Sequence, residues 1–212
     1  MHIMQTEALI VTLMTFVFSL MLAVYLTKDY LKKKRSSTLL WSSGLWIFAI
    51  SVFLEILFSL NISSGTLMGP YLFLVALLVE LLALGSMQLV KSPKLRYVYY
   101  AFAAITTLFL IYAVAVSDNS GLVQNYVVSG TPSMLVIDSS SIVVFPATIV
   151  LIAVSLMSYL RKRDKRMLSI ILGVIIVGVA GTLYIASFPS LLYIAEFVGV
   201  LFLWMGFYRN KE

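Results

Sequence analysis

The chain has 212 residues, of which 61% are hydrophobic and only 11% charged, with a formal net charge of +6. A soluble domain carries roughly 45–50% apolar and about 25% charged residues, so this excess exceeds what a soluble core needs and fits a chain whose solvent is lipid. With no cysteine and a single histidine, His2, the sequence lacks the parts for Cys-ligated iron–sulfur clusters, most structural zinc sites, bis-His haem and a Ser–His–Asp triad.

Crossing the hydrocarbon takes roughly 20 apolar residues per helix. Seven runs qualify, at 7–27, 38–60, 69–90, 97–117, 140–160, 167–187 and 190–208. The expected fold is all-α: one polytopic bundle of seven transmembrane helices over residues 1–212, with no soluble domain. Helices are expected because lipid offers the backbone no hydrogen bonds, and barrel strands give weaker, alternating segments. The first run has no basic residue ahead of it and positive charge behind it, so it reads as a retained helix and not a cleaved signal peptide.

Along the first span Ala8, Thr12, Thr15, Ser19 and Ala23 recur at spacings of three and four, one face of a helix. The second span repeats the pattern with Gly44, Ser51, Glu55 and Ser59. "NIS" at 61–63 matches a glycosylation acceptor but lies too close to the membrane for an enzyme to reach. Between the fourth and fifth spans lies the longest extramembrane stretch, the outer loop 118–139. Its β-favouring pieces, 122–128 and 133–138, flank "SGTP" and predict a short hairpin or folded lid. Pro146 is expected to bend the fifth span, since it has no N–H for the preceding turn. The sixth span carries a small-residue stripe of Gly178, Thr182 and Ala186, with Gly181 beside it, and the seventh carries Gly199. Small residues mark helix–helix contact in membranes, so Gly44, Gly178, Thr182, Ala186 and Gly199 are expected packing positions.

All fifteen Lys and Arg residues fall in 28–35, 91–96, 161–166 and 209–212, on one side of a seven-span chain. The positive-inside rule then places the N-terminus outside and the C-terminus in the cytoplasm, in a multi-pass protein of the cell membrane. Trp41, Trp204, Tyr97, Tyr99, Tyr100 and Tyr208 cluster near the cytoplasmic ends, as an interfacial belt. The basic residues are juxtamembrane and read as contacts with lipid headgroups, not as a nucleic-acid footprint. Spans one to three and five to seven share their direction, so the layout admits a 3+1+3 repeat with Gly44 matching Gly173.

Three glutamates, Glu55, Glu80 and Glu196, lie inside spans that hold no Lys, Arg or His. A lone charged carboxylate at that depth costs on the order of 2.5–3.5 kcal/mol or more, so the neutral acid is the cheaper form. Counting along the helices puts Glu80 near the midplane and Glu196 and Glu55 further outward, on helices able to face a common space. As neutral acids they would serve as interhelical hydrogen-bonding glue. As a set they are candidates for taking up protons or cations from outside, and Glu80→Gln or Glu196→Gln is then expected to abolish a pH-dependent flux. No metal and no cofactor is expected.

Microbial rhodopsins share the seven-helix, N-terminus-out layout but carry a Schiff-base lysine in the seventh helix, and 190–208 has none. Seven-helix sugar transporters carry paired prolines in equivalent helices, and the first span has no partner for Pro146. A closer likeness comes from "LLWSSGLWIFAISVFLE" (39–55), "VVFPATIVLIAVSLMSYLRKR" (143–163) and "LLYIAEFVGVLFLWMGF" (191–207). With these segments the chain resembles a group of uncharacterised seven-helix integral membrane proteins of archaea and bacteria. The resemblance implies a shared fold and a shared pattern that includes Glu55 and Glu196, and no mechanism.

Three functions fit. The first is a proton- or cation-linked small-solute transporter or channel using the buried glutamates. The second is a non-catalytic accessory or assembly subunit of a larger membrane complex, and the third a receptor-like sensor with a cytoplasmic partner. An enzyme is not expected, because no nucleophile or metal set accompanies the carboxylates. The expected partners are membrane lipid and either further copies of the chain or other membrane subunits, with no nucleic acid.

Overall fold

The computed structural model describes residues 2–60, 62, 65–119, 121–124, 127–128, 130–162, 168–177 and 189–208. Over these residues the chain forms seven helices: α1 (His2–Lys33), α2 (Ser36–Ser59), α3 (Gly65–Met87), α4 (Pro93–Val116), α5 (Met134–Lys162), α6 (Leu168–Val177) and α7 (Pro189–Tyr208). Stretches of α1 to α5 are each long and apolar enough to cross a membrane, which marks a multi-pass membrane protein. The described parts of α6 and α7 add two shorter apolar helices. The sixth-span positions Gly178, Gly181, Thr182 and Ala186 lie outside the described residues.

Local chemistry sets several helix boundaries. α1 ends where Lys34 turns left-handed at φ 51° while its amide still bonds to the Tyr30 carbonyl at 2.7 Å. Two residues later α2 begins, so the two helices form a tight pair. α4 starts at Pro93, whose missing N–H costs nothing in a first turn, and the Ser92 hydroxyl accepts from the Leu95 amide at 3.4 Å.

α5 departs from the sequence expectation. The piece 133–138, expected as a β-strand, opens this helix instead. Ser133 caps it, its hydroxyl and carbonyl both facing the Val136 amide, and the apolar run simply continues into the span. The hairpin forms earlier, from β1 (Val123–Gln124) and β2 (Val127–Val128), antiparallel with Val123 opposite Val128. It is framed by Gly121, at φ +74°, and closed by the Gly130 amide on the Leu122 carbonyl at 2.9 Å.

A side chain at Gly130 would place its Cβ 2.6 Å from the Leu122 Cα, where nothing can yield but backbone. Gly130→Ala is therefore expected to cost about 1–3 kcal/mol of local stability. Hydrogen exchange at the Val128 amide should speed up about tenfold or more. Unchanged exchange would show that the hairpin does not depend on this closure.

The helices pack as neighbours in the order α7, α1, α2, α3, with α4 and α5 against each other and both against α3. The predicted stripes face inward: Thr12, Thr15, Ser19, Ala23, Ser51, Glu55 and Ser59 are all buried. Ala8 has no described side chain. Hydroxyls on these faces bond back to their own helix, Thr15 to the Val11 carbonyl at 2.9 Å and Ser51 to the Ile47 carbonyl at 3.0 Å. Such bonds satisfy a polar group where lipid cannot. Gly44 lies against α3 beside Leu78, Leu81 and Leu82. Gly173 on α6 faces Gly199 on α7: a Cβ on Gly173 would stand 2.9 Å from the Gly199 carbonyl oxygen, and one on Gly199 would stand 2.5 Å from Val177 Cγ2.

The interfacial belt needs correction. Tyr97 is 73% exposed, as a belt residue should be, but Tyr99 is only 8% exposed. Trp41 also turns inward, donating from Nε1 to the Leu82 carbonyl at 3.1 Å and to the Ser86 hydroxyl at 3.3 Å. A helical face shared with the bundle interior outweighs nearness to the basic end.

Candidate functional site

Glu55 sits one turn before the end of α2, and Tyr71 sits in the second turn of α3. The short α2–α3 connection folds them together, and the Tyr71 hydroxyl donates to Glu55 Oε1 at 2.7 Å. Glu196 enters from the second turn of α7, and its carboxyl meets that of Glu55. Glu55 is 1% and Glu196 6% exposed. Glu55 Oε2 is buried and completes no hydrogen bond.

A roof covers the pair at the hairpin end. Tyr193, three residues before Glu196 and hence on the same face of α7, accepts from the Val128 amide of β2 at 3.5 Å. Leu122 and Val128 pack with Leu54, Phe58, Met68 and Tyr71 into an apolar layer. The Phe58 and Tyr71 rings meet edge to face at 5.6 Å. The described part of the hairpin is thus seated on the helices that carry the carboxyl pair.

Two charged carboxylates in contact repel by about 4 kcal/mol at 4 Å even at an effective dielectric constant of 20. No described cationic side chain offsets that repulsion. The arrangement chemically suits one shared proton, or one small cation in its place. Tyr71 fixes one oxygen of the pair and leaves the others to hold that charge.

The third glutamate stands apart. Glu80 lies nine residues beyond Tyr71 on α3, about 13–14 Å along the helix axis. Its carboxyl, 1% exposed, faces the buried Tyr99 hydroxyl of α4, and neither group completes a hydrogen bond. The common space expected for all three glutamates therefore holds two. Glu80 is turned toward α4, past the middle of α3 on the basic side.

No protein-family model, curated protein or solved structure matches this chain. The site must be read from its own geometry. Among the described residues no three His, Cys, Asp or Glu side chains gather into a metal-binding group.

Sequence reasoning missed Tyr71 and Tyr193. For Tyr193 the signal was present, since it stands three residues before Glu196 on one face. Tyr71 gave none beyond a phenol in an otherwise apolar segment.

Removing that phenol isolates its contribution. Tyr71→Phe leaves Glu55 Oε1 buried without its donor, and a loss of about 1–3 kcal/mol is expected. Thermal melting in detergent measures it, and an unchanged melting point would mean that Glu55 finds another donor.

Proposed function

We propose that the chain is a seven-span transporter or channel of the cell membrane that binds a proton or small cation at the Glu55–Glu196 pair and links it to passage of a small solute. The observation that carries this reading is the contact of two buried carboxyls, bonded by Tyr71, with no described cationic partner. An interhelical tie needs one acid and one neutral acceptor; a second acid in the same place supplies a site that can be filled and emptied. The hairpin cap faces outside and the Lys- and Arg-rich ends face the cytoplasm, in accord with the charge distribution. The resemblance to uncharacterised seven-helix proteins includes both glutamates but brings no function of its own.

The purified chain alone, reconstituted in liposomes, tests the proposal. It is expected to dissipate an imposed pH gradient faster than protein-free vesicles when small neutral solutes are supplied on one side. A chain that purifies only with a stoichiometric membrane partner, and is inert alone, would replace transport by the accessory-subunit reading.

A further inference from the structure

We propose that a cavity at the basic end of the bundle is a binding site for a small neutral molecule with an apolar body and one hydrogen-bonding group. The cavity, of about 130 Å³, is lined from α2, α3, α5, α6 and α7 by residues including Trp41, Ser86, Ser155, Ser158, Val174 and Phe207. Among the described residues, none of those lining it is charged, which suits a neutral occupant. An apolar cavity of roughly 150 Å³ admits benzene, which sets the size of occupant at about six non-hydrogen atoms.

The serines carry the argument. Ser42, Ser51, Ser86, Ser139 and Ser140 each bond back to a carbonyl of their own helix. Ser155 and Ser158 hydroxyls make no such bond among the described residues, although Ser155 is only 6% exposed. Both line the cavity. A hydroxyl withheld from its own helix at membrane depth is costly unless something else meets it. The Trp41 and Phe207 rings, 5.5 Å apart at their centroids, supply an aromatic wall for the body of that occupant.

The cavity is separated from the carboxyl pair by an apolar layer that includes Leu45, Phe48, Leu78 and Val79. Leu203, which borders both the layer and the cavity, stands about 10 Å along α7 from Glu196. The inference names the substrate class of the transport reading and rests on that reading for its role, though not for the site itself.

2,2,2-Trifluoroethanol, which has an apolar body and one hydroxyl within that size, followed by fluorine NMR on the chain in lipid nanodiscs, is the probe. Saturable binding above that of empty nanodiscs is expected, weakened about tenfold when Ser155→Ala and Ser158→Ala remove both hydroxyls. Ser155→Leu, which fills the space, is expected to abolish it. Partition no greater than in empty nanodiscs, or binding that neither variant weakens, would overturn the site and leave water as the occupant. Leu172→Ala, on the exposed face of α6 and outside the cavity lining, is expected to bind the probe as the wild type does. Probe binding in a wild-type chain that carries no proton flux would count against the transport reading and not against the site.

Discussion

A chain carrying Glu55→Gln and Glu196→Gln together is expected to fold and insert like the wild type and to carry no proton flux. Glutamine matches glutamic acid in size, and its amide oxygen still accepts from the Tyr71 hydroxyl now bonded to Glu55 at 2.7 Å. The cost in stability should stay near or below about 1 kcal/mol, since a neutral group replaces a neutral or shared-proton group with its hydrogen bond kept. An amide takes up no proton, so gradient dissipation in liposomes should fall to the protein-free baseline. Either single substitution should do the same, because one carboxyl alone no longer forms the shared site. Glu80→Gln is expected to retain the flux, since its carboxyl faces Tyr99 and lies outside the pair. Flux that survives the double substitution would reduce Glu55 and Glu196 to interhelical ties.

The largest expected loss of stability lies at the crossing of α6 and α7. A Cβ on Gly173 would stand 2.9 Å from the Gly199 carbonyl oxygen and 3.0 Å from the Leu203 nitrogen. Both are backbone atoms of α7, so no side-chain rotation relieves the clash and the helices must part. In lipid the attraction between helices comes from close packing, so a gap opened there is not offset by water release. Gly173→Val is expected to cost about 3 kcal/mol. Leu172→Ala, one residue away at a site 46% exposed, should change stability by only about 0.5 kcal/mol. Thermal melting of both variants decides it. Equal melting points would show that the α6–α7 approach is not held by these glycines. The separation also matters for the site, because α7 carries Tyr193 and Glu196 toward α2.

Five membrane-length apolar helices, and the inward faces of the first two, were legible from periodicity and hydropathy alone. Thr12, Thr15, Ser19, Ser51 and Glu55 are buried because a helix in lipid turns its polar stripe toward other helices. Periodicity names a face and not the neighbour that meets it. Glu55 and Glu196 lie 141 positions apart in the chain, and only the packing of both α7 and α2 on α1 brings them together. The same limit hid Glu80, whose face was legible and whose partner, Tyr99, was assigned to the interface. The 133–138 segment misled through its Val and Ile content. Strand propensity there was overridden by the Ser133 cap and the apolar run behind it. The hairpin expected to join 122–128 with 133–138 instead pairs Val123–Gln124 with Val127–Val128, and its seat on Tyr193 depends on contacts between distant segments.

Infrared difference spectroscopy across a pH step, on the chain in lipid, tests the exchangeable proton of the Glu55–Glu196 pair most directly. In the wild type and in Glu80→Gln a protonated-carboxyl C=O band is expected to appear and disappear reversibly with pH. That band should be absent in both Glu55→Gln and Glu196→Gln. A band that persists unchanged in both of those variants, or no pH-dependent carboxyl signal in the wild type, would contradict it.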